Sequence, residues 1–153
     1  ATVYQCRPDS MGHIHAKSSD PHEYPAIKFN FLDVDSDRRC ILDGVQMVRN
    51  LMNTAALDAF RGAEEAPGED IQGDTAMLDW IRRTAETTYH PTGTCRMGNA
   101  DRNVVDERLR VHGIDGLRIA DASIMPTLVS GNTNAACLMI GEKAADMVLE
   151  DAA

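Results

Sequence analysis

Two short stretches, well separated in the chain, carry residue types able to handle a proton. One is Tyr89-His90-Pro91-Thr92-Gly93-Thr94-Cys95-Arg96-Met97-Gly98, and the other is Ser130-Gly131-Asn132-Thr133-Asn134-Ala135. The imidazole of His90 accepts a proton near neutral pH, because its unperturbed pKa is about 6.5. The carboxamide of Asn132 both donates and accepts hydrogen bonds. Held over one substrate oxygen, the pair would let the ring remove a hydroxyl proton while the amide fixes the oxygen. Both residues also have plain structural uses. A loop histidine before proline serves as hydrogen-bonded scaffold, and an asparagine just ahead of an apolar helical run is a good helix cap. Residue types alone leave both readings open.

Other reactive side chains form weaker patterns. His13 and His15 would share one strand face but have no evident third ligand, so no metal is expected. His22 and His112 read as surface or turn residues. Cys95 follows His90 by five positions, yet no orienting partner or oxyanion loop for a thiol nucleophile is recognisable. Cys6, Cys40, Cys95 and Cys137 contain no C-x-x-C pair, which argues for reduced, mostly buried thiols.

The elements that must position these residues follow from periodicity. Val3–Cys6 and His13–Lys17 alternate around turn-forming residues 7–12, as an antiparallel hairpin would, and Ala26–Leu32 alternates as a third strand. From Ser36 the period lengthens, with Ile41, Val45, Val48 and Met52 in one stripe flanked by Leu42 and Leu51, and Asp35 or Ser36 placed to cap. This predicts a helix of about 16 residues ending near Asn53. Residues 62–73, acidic and rich in Gly and Pro, read as a surface loop. A second helix is expected after Asp74, with Met77, Ile81 and Ala85 inward and Trp80 beside them. Val104-Val105, Leu109–Val111 and a buried Leu117–Ala120 read as short strands, the last delivering Asp121 to a strand end. From Thr133 an apolar helical pattern runs to about Glu150. The fold class expected is α+β.

The chain has 24 acidic and 15 basic residues and a net charge of −9, with the basic ones scattered. Nucleic acid is therefore excluded as an expected partner. The acidic balance suits a cationic substrate, and equally keeps any protein dispersed. No apolar run approaches the roughly 18–20 residues of a spanning helix; a cytoplasmic location is expected, with membrane association of a full-length protein as the alternative.

Four motifs in order resemble the C-terminal part of glucose-methanol-choline (GMC) oxidoreductases, nearest the choline dehydrogenase-like branch. They are the His90 stretch, then Val104-Val105-Asp106-Glu107-Arg108-Leu109-Arg110-Val111-His112-Gly113, then Gly116-Leu117-Arg118-Ile119-Ala120-Asp121-Ala122-Ser123, then Gly131-Asn132-Thr133-Asn134-Ala135-Ala136. The resemblance implies FAD-dependent oxidation of a primary alcohol, choline-like, aliphatic or aromatic, with His90 and Asn132 catalytic. It places Asp121, Ala122, Thr133 and Asn134 against the cofactor, the first two mainly through backbone. The start of the last helix, positive in its dipole, would face the flavin ring. Where the family often has Asn-Pro-Asn, this chain has Asn132-Thr133-Asn134, a change that loosens the loop.

The same resemblance implies an antiparallel substrate-binding sheet with flanking helices over residues 1–98. Residues 99–153 would form a return segment whose strand and helix complete the FAD domain. No Gly-x-Gly-x-x-Gly occurs in the sequence, so the nucleotide-binding half is expected upstream, with this chain a C-terminal piece. The contrasting expectation is a non-catalytic binding or scaffold piece that holds no flavin by itself. Neither the alcohol, the electron acceptor (oxygen or quinone) nor the oligomeric state is specified by these residues.

Overall fold

The change of hydrophobic period near Asp35 produces helix α1, Asp35–Met52. The computed structural model describes residues 1–152, and its elements divide into two units: Ala1–Gly12 with Phe29–Thr88, and His13–Lys28 with the chain from Tyr89 onward. Among the described residues, a two-stranded antiparallel sheet and three α-helices make the fold α+β, as expected. No helix among the described residues is long and apolar enough to cross a membrane.

In the first unit, α1 packs on helix α2, Asp74–Thr84. Leu42, Met77 and Ile81 form the buried centre, with Ile41, Val45, Leu78 and Trp80 around it. Both helices are therefore amphipathic for the reason their spacing implied. Ala85 is a correction: it is exposed and extended, and ends α2 instead of facing inward. The surface loop at 62–73 is stapled to α1 by Arg49, whose guanidinium meets Glu64 at 2.7 Å, the Ile71 carbonyl at 3.0 Å and the Gly68 carbonyl at 3.1 Å.

The expected cap of α1 is also different. The N-cap residue is Val34, with no side-chain cap bond; Asp35 instead pairs with Arg38, and the Ser36 hydroxyl donates to Asp9 at 2.6 Å. The buried carboxylate belongs to Asp37, only 1 % exposed. It accepts from Gln5 Nε2 at 2.7 Å, the Asp9 amide at 2.9 Å and the Ser10 amide at 2.7 Å. Ser10 Oγ in turn accepts from the Asp33 and Val34 amides at 3.0 and 3.3 Å. Residues 5–10 thus wrap the first turn of α1, where a negative charge is also favoured by the helix dipole.

That wrapping explains why Val3–Cys6 is not a strand. The hairpin pairs β1, His13–His15, with β2, Ala26–Lys28, in the register His13 to Lys28, Ile14 to Ile27 and His15 to Ala26. The third expected strand is thus the second strand of the hairpin, and it stops at Lys28. Asn30 and Leu32 take left-handed φ values of 56° and 59°, which no strand accommodates. Phe29 and Phe31 stack across this bend, their centroids 5.0 Å apart.

In the second unit, Val105, fully buried, sits among Leu109, Ile124, Met125, Ile140 and Ala144. The expected strands at 104–105, 109–111 and 117–120 reduce to single bridges, Met97 to Val105, Val105 to Val111 and Arg110 to Arg118. Leu117 is exposed, not buried, and of its stretch only Ile119 packs on the core. Helix α3, Asn134–Ala152, covers this core with Ile140 and Ala144.

At its end Asp151 is gripped by the guanidiniums of Arg110, Arg118 and Arg108, and Glu150 also pairs with Arg108. The Arg110 hydrogen bond, with those of its neighbours, outweighs burial and holds the Asp151 carboxyl down at about 2. A depressed carboxylate contributes stability that is complete above its unfolded value of about 3.9 and is lost as pH falls through its folded value. Amide protection in the last turn of α3, relative to the intrinsic exchange rate at each pH, should therefore be kept at pH 4 and fall towards pH 2. In Asp151→Asn the protection should be weak throughout, and an unchanged profile would show that the arginines do not anchor the helix.

The cysteines are free, but none is fully buried: Cys6 and Cys40 are exposed and Cys95 and Cys137 half-buried. This corrects the expectation of mostly buried thiols.

Candidate active site

The His90 stretch owes its shape to backbone hydrogen bonds. Gly93 N donates to the Ala122 carbonyl at 3.4 Å, Cys95 N to Ser123 at 3.0 Å and Met97 N to Ile124 at 2.8 Å. Gly93 has φ 80°, and a Cβ there would stand 3.2 Å from the Met125 carbonyl, so glycine suits both the conformation and the close approach. Tyr89, just before the histidine, is held at φ 60°. A non-glycine residue at positive φ is a local cost that the surrounding structure must offset.

His90 is half-buried, and its Nδ1 lies 2.9 Å from Thr133 Oγ1. Thr133 is itself buried, at 8 % exposure. This contact brings together loops separated by 43 positions. Asn132 is exposed beside it, and Asn134 and Ala135 are exposed at the first turn of α3. The first amides of any helix lack intrahelical partners. Here the first bond back into the loop is Cys137 N to the Thr133 carbonyl, at 2.9 Å.

Asp121 is not at a strand end. It caps a short 3-10 turn, Ala122–Ile124, accepting from the Ser123 amide at 2.7 Å. Its carboxylate is thereby engaged locally. Ala122 is half-buried, and its carbonyl receives the Gly93 amide. The structure thus gathers His90, Asn132, Thr133 and Asn134 at one edge of the second unit, with Asp121 and Ala122 on the segment that supports the His90 loop.

The remaining candidates are histidines elsewhere in the second unit and a groove in the first. The His13 and His15 rings are 4.9 Å apart on an exposed strand, and among the described residues no group of three His, Cys, Asp or Glu could hold a metal. His112 lies in a turn, one of its two expected settings, but is half-buried, and its Nε2 lies 2.8 Å from the Gly98 carbonyl. A cavity of about 330 Å³ between α1 and α2 is lined by Arg38, Arg39 and Arg82. Each of these arginines is paired with a carboxylate, so the groove offers no free cation to an anionic ligand.

Sequence reasoning missed Thr133 as the partner of His90. The signal was its hydroxyl, which a proline at the same position cannot offer.

Residues 8–141 match the family described as GMC oxidoreductase. An oxygen-dependent choline dehydrogenase from Cronobacter sakazakii is 47 % identical over 150 residues, covering 95 % of this chain and 27 % of that protein. Among solved structures, pyridoxine 4-oxidase from Mesorbium loti superposes with a TM-score of 0.86 at 33 % identity, over 92 % of this chain and 28 % of that one. A formate oxidase from Aspergillus oryzae, studied for its FAD modification, gives 0.86 at 31 % identity, over 92 % and 25 %. The chain therefore spans about a quarter of the length of the proteins it resembles. Since the matched span contains both the His90 and the Asn132 loops, the chain belongs to the GMC oxidoreductase family.

Proposed function

We propose that this chain is the C-terminal part of an FAD-dependent dehydrogenase or oxidase of choline-like primary alcohols. Residues 1–98 would contribute to the substrate-binding domain and 99–153 to the FAD domain, with the nucleotide-binding half supplied by preceding sequence. The observation that carries the reading is the 2.9 Å contact between His90 Nδ1 and Thr133 Oγ1, which sets a proton acceptor beside the start of α3.

Open space at that edge supports the placing of a cofactor there. Nothing lies within 4 Å of where a Cβ on Gly131 would stand, and Asn132, Asn134 and Ala135 are exposed around it. The amides opening α3 would face the cofactor and favour negative charge on it. With the Asp121 carboxylate engaged by Ser123, residues 121–122 would contribute backbone groups. When bound, FAD supplies the acceptor of the hydride.

The chain's own residues handle the proton. His90 takes it from the substrate hydroxyl as the hydride leaves carbon, and the product is an aldehyde. The Asn132 amide donates to the substrate oxygen and fixes its direction. Anaerobic mixing tests the reading in a protein joining this chain to its flavin-binding part. Choline or another primary alcohol should bleach the flavin absorbance. Failure of choline, aliphatic and aromatic alcohols alike to do so would overturn the reaction class.

A further inference from the structure

Thr133, expected to contact the cofactor, also places its hydroxyl 2.9 Å from His90 Nδ1. We infer that Thr133 is a positioning residue that selects the tautomer of His90: its hydroxyl oxygen accepts from Nδ1–H, leaving Nε2 free to take the alcohol proton. The inference rests on the alcohol-oxidation reading and assigns an atom to its proton transfer.

Three observations support it. The two side chains are 2.9 Å apart at Nδ1, so this nitrogen is already engaged and Nε2 is the one left for substrate. Thr133 is buried, and its carbonyl accepts the Cys137 amide at 2.9 Å, which ties the residue to α3. The His90 loop, in turn, is held by its rungs to residues 122–124. The hydroxyl and the ring are thus presented by two fixed backbones.

The direction of the bond follows from the chemistry. The hydrogen bond at one ring nitrogen sets which nitrogen carries the proton. If the hydroxyl donated to Nδ1, neutral His90 would carry its proton on Nε2 and have no lone pair facing substrate. With the hydroxyl accepting, Nδ1–H stays paired both before and after Nε2 gains the proton. No partner is lost during the transfer, and the imidazolium keeps its orientation.

Thr133→Val removes the acceptor at nearly constant volume, and Thr133→Ser restores it. Nitrogen-15 NMR of histidine-labelled full-length protein reads the tautomer without turnover. Wild type and Thr133→Ser should show neutral His90 protonated at Nδ1, whereas Thr133→Val should shift it towards Nε2–H. Flavin reduction by alcohol should slow by roughly tenfold to a hundredfold in Thr133→Val, with substrate affinity little changed, and recover in Thr133→Ser.

An Nε2–H tautomer in wild type, or an identical tautomer in all three proteins, would overturn the inference whatever the turnover. Loss of rate in Thr133→Val that serine does not restore would also count against it. Full turnover in His90→Ala would instead remove the underlying reaction assignment, so the two failures are distinguishable.

Discussion

Alanine in place of His90 is expected to slow alcohol oxidation by roughly 10²- to 10⁴-fold, the usual contribution of a positioned base, while flavin stays bound. The ring is the proton acceptor in the proposed reaction, and its loop is held by backbone bonds from Gly93, Cys95 and Met97 that the substitution does not touch. The defect should therefore lie in chemistry and not in folding. Stopped-flow measurement of flavin bleaching reads the rate, and the flavin absorbance of the purified variant reads retention. Without an internal base the proton must pass to solvent hydroxide, so the residual rate should climb with pH. Unchanged bleaching in a flavin-loaded variant would take the role away from His90. Loss of flavin along with activity would make the residue structural.

The second large effect concerns stability. Asp37→Ala should destabilise the chain by about 3 kcal/mol, because buried donors left without an acceptor cost roughly 1–3 kcal/mol each and part of that cost is relieved as residues 5–10 reach water. Gln5 Nε2 and the amides of Asp9 and Ser10 all lose their partner. Asp37→Asn, which keeps one carbonyl oxygen, should lose less. Burial pushes the Asp37 carboxyl up, but the Ser10, Asp9 and Gln5 hydrogen bonds prevail and hold it below its ordinary value. Its contribution is accordingly present above the unfolded value of about 3.9 and disappears as acid protonates it in the folded chain. Urea unfolding at pH 7 and at pH 3 tests both parts. A loss under about 1 kcal/mol at neutral pH would mean that the segment is held by other contacts.

The helices were legible because each is long enough for its apolar period to repeat. Met77 and Ile81 in α2 are buried where that period puts them, whereas in α1 the buried centre is the flanking Leu42, with Ile41, Val45 and Val48 half-buried and Leu51 and Met52 exposed. The strands were not, since three exposed residues per strand leave no buried face to set an alternating pattern. At Val3–Cys6 the alternation was real but served another end: Gln5 turns towards Asp37, while Val3 lies against Gly44 of α1. Asn30 and Leu32 ended a strand through left-handed conformations, which asparagine tolerates but which leucine does not announce.

The site was legible only in part. His90 and Asn132 stood out by type and by family motif, yet spacing alone could not bring together loops 43 positions apart. Thr133 was weighed as a loss of proline's rigidity. What the substitution adds is a hydroxyl directed at the imidazole, and that depends on tertiary placement.

The rungs joining 93–97 to 122–124 are made by peptide groups, not by side chains. The loop is thus braced like a truss whose members every residue except proline can supply. Substitution at Thr94, Arg96 or Ser123 can therefore change the side chains along the loop while leaving these rungs, and the course they give the backbone after His90, intact.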